Sequence, residues 1–357
     1  MCRALSDEHP RRCSCTPLAS SDHNRRRRVN RQIVAGVAAW ADALGDPAVD
    51  ELRAGGIKTA QRWAEDHGAP MGSHPRHLGI VHDEDGAERE HDRRAAFGSN
   101  VAATLLASRV DEDDRALVDA PATVSEDEVS DGSNEVRVIE LRMPDGSTSV
   151  GFHKPFDGIE TFVAAAFGDS MPAQPMREVA AWHVARLLGP TVSEHVAPAV
   201  LREVDYPPEE FYDHQRTRIG SLSRQVPGSG LALTWADEVP QAQADAMAFF
   251  DAVIGNQDRH RANVFWDAET KSLGAFDHGY SFPRPAESDE MNESLFLEHR
   301  LARGRDKLTD AEMHALRTVR ERLDDITPML DVDRAGELRR RVEKMLSTGR
   351  LPQVAML

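Results

Sequence analysis

Three polar residues in the C-terminal half of the chain have the types and the spacing that phosphoryl transfer needs. In the segment GNQDRHRANVFWD, Asp258 precedes Asn263 by five residues, and in the segment GAFDHGYSFP, Asp277 follows Asn263 by 14 residues. Phosphoryl transfer asks the protein mainly for positioning and charge neutralisation, and Mg²⁺ prefers oxygen ligands. We therefore predict that Asn263 and Asp277 bind Mg²⁺, while Asp258 orients an acceptor hydroxyl and takes its proton.

An upstream lysine is the predicted partner of the phosphates. The chain has five lysines against 38 arginines, so a lysine on a predicted apolar strand, Lys154, indicates a specific function. We predict that it neutralises the α- and β-phosphates of ATP and that Glu178, at the start of a predicted helix, holds it. Two structural alternatives stay open, a surface lysine with its stem on apolar side chains and a first-turn acid favoured by the helix dipole.

At these residues the chain resembles known kinases. The Asp-to-Asn spacing is that of the kinase catalytic loop, and the DRH-x-x-N loop with a later D-x-G resembles phosphatidylinositol 3- and 4-kinases. The fuller N-x-D-x-H-x-x-N pattern resembles HipA-type kinases, and the closest resemblance is to bacterial phosphatidylinositol-kinase-like proteins. Their KP strand, R-E-x-A-A-W helix and GS-x-x-Q hinge stand here at Lys154-Pro155, 177–182 and 220–225. The resemblance covers residues 130–285 and leaves residues 1–110 uncovered.

The resemblance implies ATP and Mg²⁺ as cofactors and a role for each matching residue. It implies that Lys154 contacts the ATP phosphates, that Glu178 pairs with Lys154, and that the backbone near Gln225 and Val226 contacts the adenine. It implies that Asp258 is the catalytic Asp and that His260 orients the loop. Asn263 and Asp277 are the implied metal-binding residues.

The chain departs from the kinase pattern at two places. No G-x-G-x-x-G precedes the first strand, and residues 131–134 are the only small-residue cluster in its position. Ser133 and Asn134 are therefore the candidates for covering the phosphates. Position 278 is His where typical protein kinases have Phe.

The elements that must position these residues follow one another in the order of a two-lobed kinase. The residue patterns predict a hairpin over 136–156, a helix over 178–188, a strand over 195–204, an irregular stretch leading to 220–230, a helix over 241–254, a short hairpin formed by NVFWD and SLGAFD, and two helices over 308–347. We therefore predict an α+β, protein-kinase-like bilobal fold with a small β-rich N-lobe and a helical C-lobe.

Shifts in composition divide the chain into five parts. They are a flexible basic tail (1–31), a small helical N-terminal region (32–110), an acidic linker (111–135), the N-lobe and hinge (136–228), and the helical C-lobe with the catalytic and metal-binding loops (229–357). The tail contains Arg25–Arg28, which either bind an anionic partner or stay solvated. Cys2, Cys13 and Cys15 with His9 or His23 could form a zinc site, although their spacing fits no common zinc pattern.

Charge and hydropathy limit the classes of function. The net charge of −17 argues against general nucleic-acid binding. No apolar run reaches the roughly 18 residues of a membrane span, and the N-terminus lacks the apolar core of a secretory signal, so we predict a cytoplasmic location. An odd number of cysteines argues against a disulfide framework.

The main functional prediction is an ATP-dependent kinase that transfers the γ-phosphoryl group to a hydroxyl, with Ser or Thr of a protein as the preferred acceptor. The alternatives are an inositol lipid or another small molecule as acceptor, nucleotidyl transfer, and a nucleotide-binding pseudokinase or interaction protein. A metal-dependent hydrolase built on Asp258, His260, Asp277 and His278 is a further alternative. The sequence predicts neither the identity of the acceptor nor the oligomeric state.

Overall fold

The computed structural model describes residues 18–68, 84–128, 134–159, 172–208, 216–230, 239–285 and 294–352 of the 357-residue chain. In these ranges no helix combines the length and the apolar character that a membrane span needs.

The described parts of the N-terminal region, residues 18–68 and 84–110, are mostly helical. Its helices are α1 (Leu18–Leu44), α2 (Val49–Gly55), α3 (Ile57–Asp66) and α4 (Glu84–Ala107). Helices α1 and α4 pack closely because Gly98 has no side chain, and a Cβ there would lie 2.6 Å from the carbonyl carbon of Gly36. The prediction of a flexible tail is wrong for residues 18–31, which belong to α1. Cys2, Cys13, Cys15 and His9 lie outside the described residues.

The predicted acidic linker contains a helix and a strand, so that prediction is wrong for residues 112–128. Helix α5 (Glu112–Asp119) is followed by strand β1 (Ala122–Glu128). Asp111 caps α5 by accepting from the N–H of Asp113 at 3.0 Å. The helix also carries three acids in its first turn, where the helix dipole favours negative charge. The acids that suggested a linker therefore mark the start of a helix.

The N-lobe is a five-stranded antiparallel sheet with the strand order β1-β2-β3-β5-β4. Its further strands are β2 (Arg137–Arg142), β3 (Thr148–Pro155), β4 (Ala199–Tyr206) and β5 (Arg216–Arg224). The predicted hairpin of β2 and β3 is present, whereas β5 begins inside the stretch that was predicted to be irregular. Gly220 of β5 lies against Lys154 of β3 so closely that a Cβ would be 2.2 Å from the Lys154 carbonyl oxygen.

Helix α6 (Gln174–Leu188) follows β3 in the chain and begins four residues before the predicted helix. The C-lobe is mostly helical. Its helices, after the short helix α7 (Pro190–Ser193), are α8 (Gln241–Ile254), α9 (Leu295–Ala302), α10 (Asp310–Glu321), α11 (Leu323–Ile326) and α12 (Val332–Thr348). Its three-stranded sheet is formed by β6 (Ser229–Gly230), β7 (Val264–Asp267) and β8 (Ser272–Ala275).

One apolar core runs from the N-terminal helices through α6 into the C-lobe. Phe97 of α4 packs edge-on against Phe156, which follows β3, with ring centroids 5.5 Å apart. The N-terminal helices therefore pack against both lobes. The element order and the division into a β-rich and a helical lobe confirm the predicted α+β, kinase-like bilobal fold.

Candidate active site

The side chains of Lys154, Glu178 and Asp277 meet, although Lys154 and Asp277 are 123 residues apart in the chain. Lys154 Nζ donates to Glu178 Oε1 at 3.2 Å and to Asp277 Oδ1 at 2.8 Å. The three residues come from β3, from α6 and from the loop after β8. Glu178 Oε2 also accepts from the backbone N–H of His278 at 2.8 Å, which links α6 to the loop that carries Asp277.

Burial and charge act against each other in this cluster. Burial works to raise the pKa of Asp277, but the charge of Lys154 and its hydrogen bond outweigh it and lower the pKa to about 2. Burial likewise works to lower the pKa of Lys154, and the carboxylates of Asp277 and Glu178 raise it instead. Burial raises the pKa of Glu178, with Lys154 opposing. Asp277 therefore stays ionised. Its side chain is also 34% exposed, so a ligand can reach the carboxylate.

The catalytic-type loop holds Asp258 and Asn263 together. Asn263 Nδ2 donates to the backbone oxygen of Asp258 at 2.7 Å and to its carboxylate at 3.3 Å. Since the amide nitrogen is used in this way, the amide oxygen is the atom that Asn263 offers to a ligand. Burial raises the pKa of Asp258, His260 lowers it and Asp277 raises it. A raised pKa makes this carboxylate a better proton acceptor.

His260 lies beside Asp258 at the open side of the site. Its Nδ1 accepts from the backbone N–H of Ala262 at 3.1 Å, so the neutral ring carries its proton on Nε2. That nitrogen is 3.5 Å from Asp258 Oδ1, and the His260 side chain is 55% exposed. The position suits a residue that orients the loop, the role that the resemblance implied.

Arg259 connects the loop that carries Asp258 with the loop that carries Asp277, and no role was predicted for it from the sequence. It is 1% exposed, and its Nε lies 3.3 Å from both carboxylate oxygens of Asp251 on α8. Its Nη1 donates to the backbone oxygens of Asn263 at 2.9 Å and of Phe276 at 2.8 Å. The available signal was its place in the DRH motif, between two residues that were assigned functions.

Arg177 is a second residue whose role was missed. It immediately precedes Glu178, is 1% exposed, and donates from Nε to the backbone oxygen of Gly279 at 2.5 Å. A Cβ at Gly279 would lie 3.6 Å from Glu178 Oε1 and 3.2 Å from Gln174 Cβ. Helix α6 thus holds the 277–279 loop at close range through two consecutive side chains.

A cavity of about 260 Å³ opens next to this cluster. Its polar lining includes Lys154, Glu178 and Asp277, and its apolar lining consists of Val136, Phe152, Val226, Ala262, Phe265 and Phe276. The rings of Phe265 and Phe276 are 4.6 Å apart. Gln225 also lines the cavity, but its backbone N–H donates to the Val150 oxygen at 2.8 Å.

The predicted phosphate-covering residues fall in the connection between β1 and β2. Ser133 lies outside the described residues. Asn134 does not line the cavity; its Nδ2 donates to the Tyr280 hydroxyl at 3.4 Å, just after the Asp277-His278-Gly279 segment. Asn134 therefore lies near the loop that carries Asp277.

The donor set fits Mg²⁺ bound together with phosphates. In the described ranges no three His, Cys, Asp or Glu side chains converge as a ready metal site. Magnesium is usually held by one or two carboxylates plus substrate phosphates, and Asp277 and Asn263 offer such oxygens. Asp277 also has φ of 53°, a conformation uncommon for residues other than glycine and often found at functional sites.

Comparison with known proteins identifies the family of the chain. The model of the HipA-like kinase family matches residues 138–331, which is more than half of the chain, and the chain belongs to that family. No curated protein matches the chain. The HipA-like part of the sequence resemblance is confirmed, whereas a specific relation to phosphatidylinositol kinases is not.

Several solved structures resemble the chain at low sequence identity. The Helicobacter pylori proinflammatory kinase CtkA is 12% identical with a TM-score of 0.32, and the match covers 64% of this chain and 93% of CtkA. The open conformation of CtTel1 is 12% identical with a TM-score of 0.36, covering 88% of this chain but 17% of CtTel1. The Rio2 kinase of Chaetomium thermophilum, in a complex with ADP, Mg²⁺ and phosphoaspartate, is 11% identical with a TM-score of 0.30, covering 90% and 96%.

Proposed function

We propose that the chain is an ATP-dependent phosphotransferase that moves the γ-phosphoryl group of ATP to a hydroxyl, with Ser or Thr of a protein as the acceptor. The observation that carries the proposal is the placement of Lys154 Nζ between Glu178 and Asp277, at 3.2 and 2.8 Å, on the wall of the 260 Å³ cavity. A cytoplasmic location is proposed from the composition of the chain.

The lining of the cavity supports a bound nucleotide. Phe152, Phe265 and Val226 offer apolar contact to the adenine, and Lys154 offers a positive charge to the phosphates. Because the Gln225 N–H is bonded to Val150, we propose that the adenine edge is read by the Gln225 carbonyl and the Val226 backbone. Ser133 and Asn134 stay the proposed residues that cover the phosphates because of their place before the first strand of the predicted hairpin.

We propose Asn263 and Asp277 as the residues that hold Mg²⁺, which when bound neutralises phosphate charge. Asp258 then accepts the proton of the acceptor hydroxyl. The hydroxyl oxygen forms a bond to the γ-phosphorus while the bond between the γ-phosphorus and the β-phosphate oxygen breaks, which releases ADP. The raised pKa of Asp258 suits this task. Lys154 stays protonated throughout, because its pKa is raised by two carboxylates.

The open side of the site supports a macromolecular acceptor. The Asp258 side chain is 30% exposed, and that of His260 is 55% exposed. We therefore propose that the acceptor hydroxyl reaches Asp258 from solvent, as a Ser or Thr on a protein segment can. Inositol lipids and other small hydroxyl compounds are alternatives that the experiment distinguishes.

The test compares ATP labelled at the γ-phosphate with ATP labelled at the α-phosphate, each with Mg²⁺ and with cell lysate. Transfer of γ-label to Ser or Thr of a protein supports the proposal. Transfer of α-label shows nucleotidyl transfer, and γ-label in the lipid or small-molecule fraction shows a different acceptor class. ATP binding with no transfer shows a pseudokinase, and no ATP binding at all overturns the nucleotide site.

A further inference from the structure

Two backbone segments, residues 254–257 and 280–282, pair with each other between the two loops of the candidate site, and we call this pair the loop junction. The N–H of Gln257 donates from the first segment to the second at 3.2 Å, and the N–H of Phe282 donates back at 2.7 Å. The first segment leads directly into the catalytic-type loop, and the second continues the loop that carries Asp277. These hydrogen bonds therefore tie the two loops together through their backbones.

An arginine of α12 covers the first segment of the loop junction. Gly255 ends α8 in the left-handed conformation, with φ of 60°, and the guanidinium group of Arg341 lies over it. A Cβ at Gly255 would overlap Arg341 Nη1 and would lie 2.6 Å from Nη2. Because the guanidinium group occupies the place of a side chain, Gly255 cannot move towards α12. Arg341 thus limits the position of the first segment.

A second arginine of the same helix holds the second segment. Arg334 Nη1 donates to the backbone oxygen of Phe282 at 2.5 Å. Phe282 has φ of 58°, a conformation that is uncommon for residues other than glycine. Arg334 and Arg341 are seven residues apart, which is close to two helical turns, so they lie on the same side of α12. One side of α12 therefore contacts both segments of the loop junction.

This side of α12 is buried in spite of its charges. Arg334, Glu337 and Arg341 are 2%, 2% and 5% exposed, and charged residues are rarely buried to this extent unless they are paired. Glu337 pairs with Arg340 at 2.6 Å and with Arg341 at 3.5 Å. A buried ion pair contributes little more stability than apolar side chains of similar volume. The charges on this side of α12 therefore point to a role in geometry rather than in stability.

We propose that Arg334 and Arg341 are positioning residues for phosphotransfer, which hold the loop junction so that Asp258 and Asp277 keep their relative placement. Asp258 directly follows the first segment, and Asp277 lies three residues before the second. Neither arginine lines the nucleotide cavity, so both act through the backbone of the loops rather than on ATP. The effect on transfer rests on the proposed phosphotransfer, whereas the hold on the loop junction does not.

Amide hydrogen exchange of the full chain, without ATP or acceptor, tests the hold on the loop junction. The N–H groups of Gln257 and Phe282 should exchange about tenfold faster in Arg341→Met, because the local opening of the two segments becomes easier. Arg340→Met is the matched control. Arg340 pairs with the same carboxylate, that of Glu337, but its side chain is 49% exposed, so this variant should exchange as the unaltered chain does.

Transfer of γ-label tests the link to the reaction. Arg341→Met should lower kcat about tenfold to a hundredfold, as a small misplacement of reacting groups does, and should leave the KM for ATP unchanged. Burial raises the pKa of Asp258, so a displaced loop should also move the acid limb of the kcat profile to lower pH. A loss of folded protein alone does not move that limb.

Arg341→Lys covers the case in which Arg341→Met does not fold, because it keeps a positive charge beside Glu337 but not the guanidinium plane. It should show the same changes at a smaller size. Exchange at Gln257 and Phe282 as slow in both variants as in the unaltered chain, or equally fast in Arg340→Met, would overturn the hold on the loop junction. Faster exchange with an unchanged kcat would reject the positioning role. If the unaltered chain transfers no phosphoryl group, the proposed phosphotransfer fails, and the exchange rates still decide whether α12 holds the loops.

Discussion

Arg259 Nη2 donates to His278 Nδ1 at 2.6 Å, and this bond joins the loop that carries Asp258 to the loop that carries Asp277. An arginine remains protonated, so His278 Nδ1 must be the acceptor and the neutral ring carries its proton on Nε2. Burial, with Arg259 second, lowers the pKa of His278 well below its ordinary value. His278 is thus a neutral structural residue that accepts a hydrogen bond from the arginine at the position where typical protein kinases have Phe.

Replacement of this arginine should damage both loops at once. Arg259→Lys keeps a charge near Asp251 but loses the fork that reaches Asn263 O, Phe276 O and His278. We expect a loss of about 1–3 kcal/mol in the free energy of unfolding, because buried acceptors lose their donors, and a drop in transfer rate of at least about tenfold. Urea unfolding and γ-label transfer measure the two effects. Arg261→Lys, at an exposed position two residues away, is the control, and equal effects in both variants would refute the role of Arg259.

The ion pairs of Lys154 predict a defined dependence of stability on pH. The Asp277 pKa is lowered to about 2 from 3.8, so its contribution is present above pH 4 and is lost as pH falls towards 2. The Lys154 pKa is raised above 10.5, so its contribution is lost only when pH rises above that value. The stability difference between the unaltered chain and Lys154→Met should therefore be largest between about pH 4 and 10. A difference that grows on acidification below pH 4 would contradict the pairing.

Gly220 should tolerate no side chain, because β5 passes too close to β3 at Lys154. A Cβ would lie 2.2 Å from Lys154 O and 2.5 Å from Pro155 Cα, both backbone atoms. Gly220→Ala should cost about 1–3 kcal/mol of stability and weaken ATP binding, since Lys154 is displaced. Calorimetry of unfolding and of ATP binding measures both. Gly336→Ala, at a helical position with nothing within 4 Å, should instead stabilise the chain by about 0.5–1 kcal/mol.

Helix α5 should control the position of Glu178 through α6. Asp114 accepts from Trp182 Nε1 at 2.8 Å and from Arg186 Nη1 at 2.6 Å, and these residues lie four and eight positions after Glu178 on one side of the helix. Asp114→Asn should weaken ATP binding about threefold to tenfold, whereas Asp113→Asn, at the exposed neighbouring position, should leave it unchanged. Identical ATP dissociation constants for the two variants would show that α5 does not position α6.

The sequence predicted the parts of the site whose chemistry restricts residue type and spacing. Asn263 and Asp277 were recognisable because Mg²⁺ prefers oxygen ligands. Asp258 was recognisable because proton transfer needs a base at a fixed distance from the metal-binding residues. Lys154 was recognisable because lysine is rare in this chain. The sequence also predicted the pairing of Lys154 with Glu178, and Lys154 Nζ lies 3.2 Å from Glu178 Oε1. The catalytic roles of these residues stay predictions.

The rest depended on contacts between distant segments. Arg259 gains its role from backbone oxygens of Asn263 and Phe276, and backbone atoms leave no signature in residue type. Asp114 reaches Trp182 across 68 residues, so the acids of α5 suggested only a linker. Strand β5 was missed at its start because it forms only by pairing with β3 and β4.

The proposed phosphotransfer is tested by measuring γ-phosphoryl transfer by the unaltered chain and by Asp258→Asn, with ATP binding measured in parallel. Removal of the proton acceptor should lower the transfer rate by about 10²–10⁴-fold, while the ATP dissociation constant stays within about twofold because Asp258 does not line the nucleotide cavity. Transfer by Asp258→Asn at the rate of the unaltered chain would refute Asp258 as the proton acceptor.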